Sequence, residues 1–293
     1  MQRREFVGAL AAGLAPAWRS RPREQFIERW SWAMGQPVHV MLFARSEQQG
    51  LDACAAALAE LRRVESRLSL FDDASDLCEL NRHAGLGPMQ IDADLRTILE
   101  RAATFRSLTG GAFDVAVEPL MRAWGGASLQ PGAAQLAAAR EAVATAEIRL
   151  DGTVARLPNA HTQIDLGGIG VGYGIDRALA VLRAHGITRA FVDVSGDCAA
   201  IGTPPDDTGW RVDIVDPLRP GSVLATTRLC DAALATSANT VRRHVLDPAT
   251  GRPAGALRQT TVVAASAIMA DALSTAMLVS GRRPAGVMRV FGV

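Results

Sequence analysis

Four short stretches of this sequence carry residue types that could do chemistry. "ADALSTAM" sets Asp271 and Thr275 four residues apart, so that they share one face of a helix. A carboxylate and a hydroxyl so placed offer the hard oxygen ligands that magnesium takes. The same pair also suits an N-cap with a threonine bonded back into its helix. "HVLDPATGRP" puts His244 in a β-like stretch before the turn chemistry of Asp247-Pro248 and Thr250-Gly251. A histidine fixed beside a tight loop is a candidate general base near neutral pH, and equally a structural residue. "TGGAFDVAVEPLMRAWG" places Asp114 after two glycines and Phe113, where a turn carboxylate beside a core phenylalanine is the plain reading. "QIDLGGIGVGYGID" concentrates glycines at 167, 168, 170, 172 and 174. Such a run either brings a ligand close to backbone amides at a helix start or lets two elements pack tightly. It is not a dinucleotide fingerprint, because no G-x-G-x-x-G can be aligned to it.

The elements that must hold these residues are legible from periodicity and punctuation. Residues 37–44 read as a strand. A long helix follows Ser46, with Leu51, Cys54, Leu58, Leu61, Val64 and Leu68 spaced by three or four. Ser75 caps "DLCELNR", and Asp92 caps a helix that buries Leu95, Ile98, Leu99, Ala102 and Phe105 and stops at Gly110-Gly111. A further helix spans 131–146 behind Pro131, and a hairpin turns at Asp151-Gly152. The glycine run reads as strand, loop, helix, the helix being "IDRALAVLRAHG" closed by Gly186. "RAFVDVSGD" reads as a strand ending in a loop, "WRVDIVDP", "LCDAALATS" and "QTTVVAAS" as further strands, and "MADALSTAMLVSG" as the last helix. Strand pairs mixed with helices, and no internal repeat, indicate one α+β or α/β domain.

Composition narrows the function. A net charge of +1 over 293 residues excludes a global field directed at nucleic acid or an anionic membrane. All 31 basic residues are arginine, so a phosphate held by a cation is held by arginine or by a metal. Cys54, Cys78, Cys198 and Cys230 lack metal-ligand spacing and read as small core residues. At the N-terminus, Arg3-Arg4, a short apolar run and Ala15-Pro16-Ala17 resemble a twin-arginine export signal over residues 1–17. A polar, basic linker is expected over 18–33 and the domain over 34–293, in the periplasm.

Taken together and in order, the motifs make the chain resemble the FAD:protein FMN transferase family, the ApbE-like flavin transferases. The resemblance runs from "MGQPVHV" at 34 through "SRLSLFDDASDLCELN", "TGGAFDVAVEPLMRAWG", "IDLGGIGVGYGIDRAL", "VSGD", "ATSANT" and "HVLDPATGRP" to "ADALSTAM". It implies a single α+β, T-fold-like domain of mixed sheets with packed helices. It also implies magnesium-dependent transfer of FMN from FAD to a threonine or serine hydroxyl of a partner flavoprotein, with release of AMP. The partner would be a protein with an FMN-binding domain in membrane-associated electron transfer. Position by position, the family's FAD contacts fall on Met34, Phe71, Ala112, Phe113, Asp114, Asp165, Val171 and Leu246. Its metal ligands fall on Gly168 (through the carbonyl), Asp271, Ser274 and Thr275, and its base on His244. Phe71 stands where tyrosine is usual, Val171 where lysine or glutamate is common, and Ser274 where some members have aspartate. With Asp271 the one acidic residue of the last motif, the expectation is a low-charge site whose magnesium is shared with the FAD phosphates. Gly170 and Gly172 are expected to keep Cβ atoms out of the ligand's way.

Overall fold

Along Gln36–Ala44 every second side chain is buried, at Val38, Val40, Leu42 and Ala44, as a strand with one face on a core requires. This strand belongs to a computed structural model that describes residues 24–292 except 126–128, 220, 241–243 and 256. The export signal at 1–17 and the first part of the expected linker lie outside the described residues.

In chain order the elements begin with β1 (Gln25–Ala33), β2 (Gln36–Ala44), α1 (Glu47–Leu68), α2 (Asp76–Arg82), β3 (Pro88–Gln90) and α3 (Ala93–Leu108). After a single 3-10 turn at Val115–Val117 come α4 (Glu118–Ala123), α5 (Ala133–Ala144), β4 (Arg149–Asp151), β5 (Val154–Arg156) and α6 (Gly170–Ala184). The chain continues through β6 (Arg189–Val194), β7 (Asp197–Ile201), β8 (Trp210–Val215), β9 (Val223–Leu229), β10 (Ala233–Ala238), β11 (Gln259–Ala264), α7 (Ala267–Ser280) and β12 (Arg289–Gly292). Seven strands form an antiparallel sheet in the order β1-β2-β6-β7-β10-β11-β12. Helices α1, α6 and α7 cover one face, over a core that includes Leu61, Ile175 and Leu273. The β8–β9 ribbon covers part of the other, with Trp210 packed beside Phe191 and Phe43. The domain is α+β, as expected from the strand pairs and the long amphipathic helices.

Most caps stand where the sequence places them. Ser46, Ser75 and Asp92 each accept a first-turn amide of the helix that follows. Five readings need correction. The linker expected over 18–33 is a strand from Gln25 onward, paired with β2 through a tight turn at Met34-Gly35, where both residues have positive φ. It escaped notice because only Ile27 and Ala33 of its nine residues are buried, as befits an edge strand. The boundary at 34 therefore falls in mid-hairpin. "RAFVDVSGD" does not end in a loop; it turns at Ser195-Gly196 directly into β7. "LCDAALATS" divides at Asp231 between β9 and β10. Cys230 is exposed, whereas Cys54, Cys78 and Cys198 are buried thiols.

The fifth correction concerns the glycine run. No strand precedes it, and Gly170, Gly172 and Gly174 lie inside the first turns of α6. A Cβ at Gly172 would sit 2.4 Å from the Ala267 carbonyl oxygen and 2.8 Å from the Ile268 Cα, both backbone atoms of α7. Gly172 is thus a packing glycine at the crossing of two helices, not a residue that clears space for a ligand. At Gly170 a Cβ would meet only the Leu166 Cβ, at 3.9 Å. Two opposite outcomes follow. Gly172→Ala overpacks the crossing and should lower the unfolding free energy by about 1–3 kcal/mol. Gly170→Ala, at a helical position with room, should raise it by about 0.5 kcal/mol or more. Denaturant unfolding without ligand reads both.

Candidate active site

The helix that carries the proposed ligands is positioned by its neighbour. Asp176 of α6 accepts the amides of Ala267 at 2.8 Å and Ile268 at 3.0 Å, and so caps α7 from outside its own chain segment. One turn earlier on α6, the Gly172 amide donates to Asp271 Oδ2 at 3.0 Å. Asp271 is therefore not an N-cap; Ser266 holds that position. Burial pushes the carboxyls of both Asp176 and Asp271 upward, and the amides they accept oppose that shift. In the next turn of α7, Ser274 donates back to the Asp271 carbonyl at 2.9 Å, while Thr275 does something else. Its Oγ1 lies 3.1 Å from the Ser237 Oγ of β10, and Ser237 is also 2.7 Å from Ser274. The hydroxyls of Ser237 and Thr275, with Asp271, make an oxygen-lined wall, and Ser274 backs it.

Opposite this wall is the loop of His244. Asn239 clamps it by accepting the Val245 amide at 3.0 Å and donating to the Val245 carbonyl at 2.9 Å and the Ala254 carbonyl at 3.0 Å. Asp247 closes the turn, accepting the Ala249 amide and the Thr250 hydroxyl. Leu246 is buried among Leu120, Ala123, Ala139 and Val143 of α4 and α5. Trp124 donates to the Gly251 carbonyl at 2.8 Å. These contacts fix the backbone that follows the histidine, from Val245 to Ala254.

Between the two walls is a cleft of about 420 Å³. It brings together Ala112, Phe113, Asp114, Asp165, Gly168, Val171, His244, Leu246, Asp271 and Thr275. Asp165 is held in place by its own amide, which donates to the Val115 carbonyl at 2.8 Å, and by accepting the Gly167 amide at 2.6 Å. Its carboxyl is raised by burial, with the Gly167 amide and the nearby His244 acting the other way. At Gly168 an added Cβ would lie 3.2 Å from Thr275 Oγ1 and 3.5 Å from the Phe113 ring, so this residue is packed closely against the hydroxyl wall. Asp114 is committed internally: it accepts the Ala116 amide at 2.9 Å and pairs with Arg106 at 2.6 Å.

Three expected residues stand elsewhere. Met34 lies in the β1–β2 turn, and its thioether borders the space over Gly174 rather than the cleft. Phe71 is fully exposed on the rim of a second groove, of about 1110 Å³, which joins the cleft at Asp165 and Met121. Ser274 is buried behind the cleft wall and reaches it only through Ser237. The cleft also contains residues that the sequence reading passed over, among them Ser195, Asp197, Thr236 and Ser237. "VSGD" and "ATSANT" contain them, but nothing in either motif says that β7 and β10 lie side by side.

The donor chemistry suits magnesium: the Asp271 carboxylate and the Ser237 and Thr275 hydroxyls belong to one wall, which among the described residues has no sulfur or imidazole. Among the described residues no helix is long and apolar enough to cross a membrane.

Comparison with known proteins bears on the family and the fold. The chain is 32% identical to an FAD:protein FMN transferase of Treponema pallidum, over 77% of this chain and 72% of that one. It is 28% identical to an FAD:protein FMN transferase of Vibrio cholerae, over 95% and 88% respectively. The crystal structure of the ApbE protein of Thermotoga maritima superposes with a TM-score of 0.77 at 29% identity, covering 87% of each chain. The apo form of the flavinyl transferase ApbE of Pseudomonas stutzeri gives 0.78 at 27%, over 88% of this chain and 85% of that one. The ApbE family model matches residues 34–288. On that match, together with the cleft its motifs build, this chain belongs to the ApbE family.

Proposed function

We propose that this protein transfers FMN from FAD to a threonine or serine hydroxyl of a partner flavoprotein, releasing AMP. The observation that carries the reading is that His244, with Asp165 near it, lines the same cleft as Gly168, Asp271 and Thr275. A diphosphate ester needs two things to be attacked by a neutral hydroxyl: a sink for phosphate charge and a group that takes the proton. Asp271, Thr275 and the Gly168 carbonyl would hold the magnesium ion, which supplies the charge sink when bound. His244 takes the proton of the acceptor hydroxyl. The freed oxygen forms a bond to the FMN phosphorus, and the phosphorus–oxygen bond to AMP breaks, the electron pair leaving with AMP. Phe113 and Leu246 present apolar surface to the ligand, and the exposed Phe71 offers a ring for stacking at the mouth of the adjoining groove.

Incubation with FAD, magnesium and a protein that bears an FMN-binding domain tests the whole reading. AMP should accumulate, and the acceptor should gain the mass of FMN less one water. AMP with free FMN and an unmodified acceptor would instead mean hydrolysis, and no AMP would mean an FAD-binding protein without turnover. His244→Ala should keep FAD binding and lose transfer about a hundredfold or more, the usual worth of a positioned base. Gly168→Ala should leave the unfolding midpoint nearly unchanged, because the Cβ meets side-chain atoms at no less than 3.2 Å. It should nonetheless slow AMP release about tenfold or more, since it displaces the Thr275 hydroxyl.

Export to the periplasm by the twin-arginine route is part of the same proposal and rests on Arg3-Arg4 and the apolar run after them. Replacing both arginines with lysine should leave the protein in the cytoplasmic fraction.

A further inference from the structure

The β7–β10 ladder contains only the pairs Cys198↔Leu234 and Ala199↔Ala233. Beyond Cys198 the two strands part, and the cleft opens between them. The Thr236 amide, left without a backbone acceptor from β7, donates instead to Asp197 Oδ1 at 2.9 Å. Asp197 is thereby pinned beside the cleft, immediately after the Ser195-Gly196 turn in which both residues have positive φ. The next residue of β10, Ser237, is the one whose hydroxyl touches Ser274 and Thr275. Asp197 and Asp271 consequently line the same cleft from opposite elements, one on the sheet and one on α7.

Neither carboxylate has a cationic partner among the described residues. The charges that act on Asp271 are those of Asp197 and Asp176, and the charge that acts on Asp197 is that of Asp193. All are negative. Two carboxylates withdrawn from water without a counter-charge are unfavourable unless a cation is taken up or a proton is bound.

Resting on the proposed function, we infer that Asp197 is a second carboxylate of the cation site, so that the site carries two negative charges and binds magnesium before FAD arrives. This departs from the expectation of a low-charge site that shares its cation with the FAD phosphates. The geometry separates charge from scaffolding: Asn at 197 keeps an oxygen for the Thr236 amide and loses only the charge. Asp193, which accepts the Gly196 amide at 2.7 Å and is not part of the cleft lining, serves as a control for loss of a nearby charge.

The test is calorimetric titration of the full chain with magnesium chloride in the absence of FAD, with thermal melts of each variant. The wild type should bind magnesium and melt higher with it. Asp197→Asn should remain folded, melt at least as high as the wild-type apoprotein, bind magnesium about tenfold or more weakly, and lose the magnesium-induced rise. Asp193→Asn should bind as the wild type does. Wild-type magnesium affinity in Asp197→Asn, or magnesium uptake by the wild type only when FAD is present, overturns the inference. If Asp197→Asn does not fold, Asp197→Ser provides the same neutral comparison, and wild-type affinity in it is equally fatal. The titration needs no turnover, so a protein that binds magnesium through Asp197 yet releases no AMP from FAD would refute the proposed function and leave this inference standing.

Discussion

The crossing of α6 and α7 is the constraint on which the cleft depends. At Gly172 the helices approach so closely that a single Cβ would enter the α7 backbone. That approach lets the Gly172 amide reach Asp271 and lets the Asp176 carboxylate cap α7. Three hydrogen bonds thus set the rotation and height of α7. Rotation decides whether Asp271 and Thr275 face the cleft or the core, because residues four apart share a face only while that face is held toward the site. Gly168, two residues before α6, is placed by the same crossing, since its space is bounded by Thr275.

A second dependence concerns the His244 loop. It has little regular structure of its own beyond the Leu246–Pro253 bridge. Asn239, Trp124 and the apolar cluster of α4 and α5 hold it against the domain. A loop fixed from three directions can position an imidazole as firmly as a helix would, and at no cost in access to the cleft. The electrostatics of the site are lopsided by comparison. Arginine is abundant in the chain, yet among the described residues none is paired with Asp197 or Asp271 of the cleft wall, while Asp114 at the other end is paired with Arg106. A cleft with one acidic, hydroxyl-rich wall suits a divalent cation better than it suits a bare phosphate.

Much of the fold was open to reading because its signals are local. The helices after Ser46, Ser75 and Asp92 announce themselves by a capping oxygen and a three-to-four apolar repeat, both of which act within a few residues. The hairpin at Asp151-Gly152 needs only its turn. Strand β1 was not legible, because an edge strand buries little and its pattern there resembles that of a linker. The glycine run was misread for a related reason. Three glycines inside a helix weaken the helical signal, and what they provide, contact with a helix about a hundred residues later, leaves no mark in the local pattern.

By itself, then, the sequence determined the family and the α+β class, since motif order and residue type survive without coordinates, and ten of the thirteen residues expected at the site line one cleft. Only the tertiary structure decided that Ser274 stands behind the wall, that Met34 faces away from the cleft, and that Gly172 is spent on packing. It also decided that Asp197 joins Asp271. The physical reason is that a buried carboxylate takes its meaning from neighbours within a few ångströms, and those neighbours come from strands and helices that the chain brings together only when it folds.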